Sequence, residues 1–313
     1  MNRALDILAD ADPAEGRSIP WWHGWAPLVV LPVAVVVLID ESRPRWAMMW
    51  LLAIAIFAGC KWLTWRRTPP RGSDPVPWHR HAGYLLAWPG LDAHAFLEPR
   101  PPHVQPPTRA EWLDGALRGT AGLAMFFILA PLAGERSPLL AGWVAMVALV
   151  LALHFGLFTL LSCAWRAAGV DAAPLMHRPS RATTLFDFWS RRWNTAFRDL
   201  THRFLFQPLS SRLGPGGGLW AGFIFSGLVH DLVISYPAGG GYGGPTLYFA
   251  LQAAGISLQR SGRARRMGLG RGWRGWAFTF LFLLAPLPLL LHAPFVLEVI
   301  VPFMRDTAAL LGA

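Results

Sequence analysis

Lysine is almost absent from this sequence, and charged residues of every kind are scarce. Only 15% of its 313 residues are charged, whereas a soluble domain carries about a quarter. Lys61 is the single lysine, so arginine carries nearly all of the positive charge behind the net +10. With 54% hydrophobic residues and 17 tryptophans, this composition excludes an ordinary soluble domain and indicates an integral membrane protein.

Cysteine is rare as well, and its placement excludes two classes of small domain. Cys60 and Cys163 each lie inside an apolar block, so they offer neither a disulfide framework nor a zinc-binding spacing. The arginines lie in loops between apolar blocks, which is typical of cytoplasmic loops and does not favour nucleic-acid binding. The N-terminus is acidic and polar, unlike a secretory signal. We therefore interpret 1–24 as a polar N-terminal segment and 25–313 as one membrane-embedded domain.

The apolar blocks have the length of membrane spans. They predict an all-α polytopic protein with about eight transmembrane helices plus interfacial or re-entrant helices. The expected spans lie at about 25–39, 46–65, 119–133, 139–165, 218–237, 245–258, 276–291 and 293–304. In this arrangement all the arginine-rich loops fall on one side, which predicts that both termini are cytoplasmic. We expect the location to be a bacterial inner membrane.

One apolar stretch lies inside the basic segment 66–118 and is broken by Pro89 and Gly90. It is expected to be interfacial or re-entrant rather than spanning. His81 and His94 lie thirteen residues apart on either side of this break. Their spacing keeps a haem-binding span protein open as an alternative, although the break interrupts the helix between them.

An ionisable pair, His230 and Asp231, lies inside the apolar span 218–237. Such groups cost a few kcal/mol at membrane depth, so they usually face the bundle interior or an aqueous cavity. Helical spacing places Ser226 and His230 on one face, while Asp231 points about 100° away. Position alone leaves open a functional histidine, a neutral one that joins helices by hydrogen bonds, or a proton relay in an amphiphile transporter. The absence of an internal repeat disfavours the transporter.

A second candidate is the stretch "FDFWSRRWNTAFRDL", residues 186–200. As one continuous helix it would place Asp187, Arg191, Asn194 and Arg198 along one face, with Trp189 and Trp193 on the other. Such a basic amphipathic helix can lie in the membrane interface, and simple anchoring is its plainer interpretation. Asn194 indicates a role beyond anchoring, because a neutral amide among arginines and tryptophans can orient a substrate carbonyl or hydroxyl.

These segments together resemble the wax synthase branch of the membrane-bound O-acyltransferases. The resemblance rests on "FWSRRWN", a glycine-containing loop and "FSGLVHDL", and is extended by "YLLAWPGLDAHAFLEP" and "LHAPFVLEVIVPFMR", so that it covers about 80–313. The family transfers a fatty acyl group from acyl-CoA to a hydroxyl, usually of a long-chain alcohol. Some relatives esterify sterols and others acetylate small natural products. The chain departs from the family where "LQAAGISLQR" replaces a histidine-glycine pair, which bears on the acceptor.

The resemblance implies that Asn194 and His230 form the catalytic pair, with no metal and no resident cofactor. His230 would remove the alcohol proton as a general base, in a site from which bulk water is excluded. Asn194 would orient the thioester carbonyl or the acceptor hydroxyl. Since Ser226 is the only nearby candidate nucleophile, direct attack is expected rather than a covalent acyl-enzyme.

The remaining expectations concern the substrates and their contacts. The expected partners are acyl-CoA, membrane lipid and a long-chain alcohol or sterol-like acceptor, with a sterol or secondary metabolite as the alternative acceptor. The CoA phosphates would approach an arginine-rich side. The expected substrate and CoA contacts are Arg191, Arg192, Arg198, Trp189, Trp193 and Ser226.

Overall fold

The computed structural model describes residues 21–40, 42–68, 75–99, 101 and 104–310. Every regular element in this part of the chain is helical, which confirms the predicted all-α class. Residues 1–20 of the predicted polar N-terminal segment lie outside the described residues. The α-helices are α1 (Trp21–Leu38), α2 (Arg45–Arg66), α3 (Trp78–Ala87), α4 (Ala93–Leu97), α5 (Arg109–Ala124), α6 (Ala130–Gly134), α7 (Pro138–Leu149), α8 (Phe158–Ala167), α9 (Leu185–Asp187), α10 (Thr195–Thr201), α11 (Gln207–His230), α12 (Tyr236–Ala238), α13 (Gly244–Gln259), α14 (Gly262–Arg266), α15 (Gly272–Leu284), α16 (Leu287–Leu290), α17 (Ala293–Phe295) and α18 (Val301–Leu310).

Five helical stretches among the described residues are long and apolar enough to cross a membrane, so the predicted eight spans are not confirmed. The helices at three expected spans are shorter: the apolar part of α1, the 16-residue α13, and the divided stretch α17–α18. A 16-residue helix is about 24 Å long, whereas the hydrocarbon core of a bilayer is about 30 Å thick. The five candidates are Arg45–Arg66, Arg109–Gly134, Pro138–Ala167, Thr195–Ala238 and Gly272–Leu290.

Several of the long helices contain π-helical turns. Such turns are rare in proteins and often occur at functional sites. Two of them, Phe188–Arg192 and Asp231–Ser235, adjoin the two candidate segments. The others are Met125–Leu129, Val150–Leu157, His202–Phe206 and Val296–Ile300.

The break predicted at Pro89 and Gly90 is confirmed. It separates α3 from α4. The single lysine of the chain, which lies in α2, joins the break to α2 by a hydrogen bond. Lys61 is 1% exposed; its Nζ donates a hydrogen bond to the Gly90 carbonyl and lies 3.6 Å from the centre of the Tyr84 ring. The carbonyl freed by the break is thus satisfied by a side chain, as buried backbone requires.

Small residues allow the helices to pack closely. A Cβ atom at Gly59 of α2 would lie 2.5 Å from the Leu28 backbone of α1, and one at Gly122 of α5 would lie 2.5 Å from the Ala152 backbone. Close approach of this kind drives helix association in membranes, where burial of apolar surface gains little.

The expectation of one continuous amphipathic helix over 186–200 is wrong. The helical turns of 185–192 end at Trp193, Asn194 has a left-handed backbone (φ 42°, ψ 65°), and α10 begins at Thr195. The backbone at this break is bound to the preceding loop: His177 N–H donates to the Arg192 carbonyl (2.9 Å) and Thr195 N–H to the Leu175 carbonyl (3.1 Å). Asn194 consequently lies at a corner between two short helices instead of on a helix face.

Candidate active site

His230 is the last residue of α11 and directly precedes a π-helical turn. Its Nδ1 lies 2.7 Å from the carbonyl oxygen of Ser226, one turn earlier. A carbonyl can only accept, so Nδ1 carries the proton and Nε2 of the neutral ring keeps its lone pair. No hydrogen bond to Nε2 is formed within the described chain. His230 is therefore held in the tautomer that can accept a proton.

The neighbouring Asp231 is occupied by backbone and hydroxyl donors. Its carboxylate accepts hydrogen bonds from Gly243 N–H (2.8 Å), Thr246 N–H (3.1 Å) and Ser235 Oγ (2.9 Å), and also from Thr246 Oγ1. The two N–H groups belong to the start of α13, where helix N–H groups lack partners and the helix dipole favours a negative charge. Asp231 thus joins the end of α11 to the start of α13 and is not a partner of His230.

Ser235, His292 and Asp231 have the composition of a hydrolytic triad but not its geometry. His292 Nδ1 accepts from Phe295 N–H (3.2 Å), so its Nε2 donates to Ser235 Oγ (3.1 Å). Ser235 in turn donates to Asp231 and is fully buried. A nucleophilic serine must donate its proton to a histidine nitrogen. Here the histidine donates to the serine and the serine donates to the aspartate, so these three residues form a structural hydrogen-bond chain.

Asn194 is one of two non-glycine residues with positive φ in the described chain, the other being Arg178. Asparagine tolerates this conformation better than most residues. Its N–H is satisfied by the sulfur of Met176 at 3.3 Å. No side-chain hydrogen bond of Asn194 is formed within the described residues, and the side chain is only half-buried, so its amide can bind a ligand.

Aromatic rings connect the two candidate residues, which make no direct hydrogen bond to each other in the described structure. The His230 ring lies 4.6 Å from Phe249 of α13, and Phe249 lies 5.7 Å from Trp189. Trp189 contacts Phe188 (5.1 Å), which stacks on Trp193 (5.6 Å), the residue before Asn194. Trp189 and Trp193 thus lie between His230 and Asn194, where a substrate contact is expected of them.

Two residues that the sequence did not single out also contact these tryptophans. His154 stacks on Trp193 at 5.9 Å, and its buried Nδ1 has no hydrogen-bond partner. Gln252, fully buried, accepts from Trp189 Nε1 (3.4 Å) and donates to the Phe282 carbonyl (2.8 Å). Gln252 lies in "LQAAGISLQR", where the chain departs from the family pattern, so this departure was the signal that could have pointed to it.

The three arginines expected to contact CoA are not equivalent. Arg192 is paired with Asp187 at 2.5 Å, and Arg198 with Asp199 at 2.5 Å. Arg191 is exposed and forms no ion pair within the described residues. Loss of solvent, together with the positive charges of Arg198 and Arg192, lowers the pKa of the nearby His177. Ser226, the remaining expected contact, is half-buried, and its carbonyl rather than its hydroxyl binds His230.

No cluster of three potential metal ligands occurs in the part of the chain that the structure describes. The expectation of no metal and no resident cofactor stays a prediction.

In a comparison with known proteins, both candidate residues lie within one segment that matches a family model. Residues 172–251 match the model of the membrane bound O-acyl transferase family. A long-chain-alcohol O-fatty-acyltransferase of Simmondsia chinensis is 30% identical over 29% of this chain and 30% of its own length. The resemblance to the wax synthase-like branch is confirmed.

Other wax synthase-like relatives come from Arabidopsis thaliana. "Probable long-chain-alcohol O-fatty-acyltransferase 7" is 30% identical over 36% of this chain and 37% of the relative. "Acyl-CoA--sterol O-acyltransferase 1" is 28% identical over 42% of each chain. The chain thus aligns with less than half the length of these relatives. No solved structure matches it.

The structural role of Asp231 gives a prediction about stability. Asp231→Ala removes the acceptor of two backbone N–H groups and two hydroxyls, so it should destabilise the protein by about 2–4 kcal/mol. Thermal unfolding in detergent measures this change. The matched control is Asp306→Ala, since the Asp306 carboxylate accepts one exposed hydrogen bond from Trp46 and should cost under about 1 kcal/mol. Equal shifts for the two variants would contradict the assignment.

Proposed function

We propose that this protein transfers a fatty acyl group from acyl-CoA to the hydroxyl of a lipid-soluble alcohol and releases an ester and CoA. The observation that carries the proposal is the fixed tautomer of His230, whose Nδ1–H donates to Ser226 and whose Nε2 is free. The proposal is supported by relatives named as long-chain-alcohol O-fatty-acyltransferases.

In the proposed reaction His230 is the general base. As the alcohol oxygen attacks the thioester carbonyl carbon, Nε2 takes the hydroxyl proton. The carbon–sulfur bond then breaks, and the proton passes from His230 to the departing CoA thiolate. No acyl-enzyme is required, since Ser226 forms no hydrogen bond to the ring through its hydroxyl.

Asn194 is assigned to the carbonyl of the thioester. An amide N–H₂ group can donate to the oxygen on which negative charge develops during attack. Its unpaired side chain at the corner before α10 is free to do so, while the backbone around it is fixed by hydrogen bonds to the loop at 175–177. A donor held in place before the reaction lowers the barrier more than one that must reorganise.

The rings of Phe249, Trp189 and Phe223 lie against one another beside His230 and would limit the access of water to this site. Phe223 precedes His230 by two turns of α11, and its ring lies 6.0 Å from Trp189 and 6.3 Å from Phe249. A dry, apolar surrounding accepts an acyl chain and protects the thioester from hydrolysis.

A sterol is the second candidate acceptor. It is favoured by the relative named as an acyl-CoA–sterol O-acyltransferase. Gln252, bound to Trp189 where the family pattern has a histidine-glycine pair, marks the place where the acceptor side would differ. A sterol hydroxyl is secondary and bulky, so it would need a wider acceptor site than a primary fatty alcohol.

The membrane arrangement belongs to the same proposal. Both termini would be cytoplasmic and acyl-CoA would enter from the arginine-rich side, as the positive-inside rule predicts. The expected bacterial inner-membrane location stays a prediction.

Replacing His230 tests the general base. His230→Ala should lower kcat for ester formation from palmitoyl-CoA and hexadecanol by about 10²- to 10⁴-fold. Folding should be little affected, because the lost hydrogen bond lies within α11, where the Ser226 carbonyl keeps its helical partner. His202→Ala is the matched control, since His202 is exposed on the same helical stretch. Retention of more than half of kcat by His230→Ala would remove His230 from this role.

Replacing Asn194 by glycine separates its amide from its backbone conformation. Glycine adopts positive φ without cost, so Asn194→Gly should keep the melting temperature yet lower kcat about 10²-fold. Asn194→Ala should lower both the melting temperature and kcat, since positive φ destabilises alanine by about 1–2 kcal/mol. Arg178→Gly, at the other positive-φ position, is the control. Full activity of Asn194→Gly would mean that Asn194 is needed only for its positive-φ backbone conformation and that its amide has no role in the reaction.

A further inference from the structure

Two of the arginines near the candidate site have their charge already balanced. Arg192 is bound to Asp187 and Arg198 to Asp199, and these are the only two acidic residues between 172 and 230. A guanidinium that is paired with a carboxylate is less available to a phosphate. These two arginines are therefore less free to bind phosphate than arginines without a carboxylate partner.

A second group of arginines is free of this constraint. Six exposed arginines follow α13, and no Asp or Glu occurs anywhere between 232 and 297. None of the six forms an ion pair with a carboxylate among the described residues. They are Arg260, Arg263, Arg265, Arg266, Arg271 and Arg274.

These arginines are attached to the segment that leads to Asn194. The buried Gln259 accepts a hydrogen bond from Leu185 N–H (2.8 Å) and donates one to the Leu269 carbonyl (2.7 Å). It thus joins the arginine-rich loop, which contains Leu269, to the segment that begins at Leu185. Trp276 donates to the Ser180 carbonyl (2.9 Å), and the Arg260 guanidinium lies 4.9 Å from the Phe186 ring. Because Arg191 belongs to the segment to which these six arginines are attached, we refer to all seven together as the arginine face.

We infer that the arginine face binds the phosphate groups of the nucleotide half of the acyl donor, an inference that rests on the proposed function. Guanidinium groups bind phosphate oxygens in pairs, and several of them without carboxylates attract a polyphosphate. Trp273, 75% exposed beside Arg274, offers a flat surface on which a purine base can stack. A phospholipid head group has no base to place there, so the nucleotide is the better fit.

The test compares donors with and without the 3′-phosphate. In neutral detergent, Arg263→Gln/Arg265→Gln/Arg266→Gln should raise KM for palmitoyl-CoA about tenfold and leave kcat within about twofold, since three exposed charge contacts are removed. Wild type should prefer palmitoyl-CoA over palmitoyl-3′-dephospho-CoA, and the variant should lose this preference. An unchanged KM would overturn the inference.

A matched control and a lipid comparison exclude the simpler explanations. Arg109→Gln/Arg136→Gln/Arg305→Gln removes the same charge from exposed positions elsewhere and should keep the wild-type KM. Both triple variants are then assayed in vesicles of phosphatidylcholine with and without phosphatidylglycerol. A defect of the first variant that appears only with phosphatidylglycerol would show that the face binds lipid head groups, and would overturn the inference.

Binding of adenosine 3′,5′-bisphosphate, measured by calorimetry, separates this inference from the proposed function. Wild type should bind it, and the Arg263/Arg265/Arg266 variant should bind about tenfold more weakly, whether or not the protein forms an ester. If wild type forms no ester but binds the bisphosphate, only the proposed reaction fails. If wild type does not bind it, the inference fails.

Discussion

The carboxylate of Asp231 is the constraint on which the candidate site depends. It lies where α11 passes into a π-helical turn, and it accepts hydrogen bonds from the start of α13 across a glycine-rich loop. These bonds fix α13 against the residue that precedes Asp231, which brings Phe249 of α13 onto the ring of His230. A partly buried carboxylate is tolerated here because four donors surround it. The hydrogen bonds of Asp231 thus join the two helices that carry His230 and Phe249.

Hydrogen bonding distinguishes His230 from His292. Both ring nitrogens of His292 are engaged in hydrogen bonds within the protein. His230 has one engaged nitrogen and one free, which fixes its tautomer and leaves a lone pair on Nε2. The sequence distinguishes His230 by its neighbour Asp231 and by the family resemblance, but it does not show which histidine has a free ring nitrogen.

Composition and local breakers predicted much of the fold. The helix expected at about 46–65 is found at Arg45–Arg66, and that expected at about 139–165 is found at Pro138–Ala167, because apolar runs of this length have few alternatives in a membrane. The break at Pro89 follows from the missing N–H of proline. The break at Asn194 could not be predicted, because it depends on hydrogen bonds to residues 175–177 and interrupts a regular amphipathic pattern. The pairing of Arg192 with Asp187, five residues apart, likewise depends on a π-helical turn that the pattern did not show.

The measurement that tests the central claim most directly is a product assay on purified, detergent-solubilised protein. Palmitoyl-CoA or acetyl-CoA is mixed with pooled fatty alcohols, a sterol and diacylglycerol, and the products are identified by mass spectrometry together with released CoA. The account predicts a palmitoyl ester of a fatty alcohol or of the sterol, formed in equal amount to free CoA. Folded protein that forms no ester from either donor with any of these acceptors would contradict it.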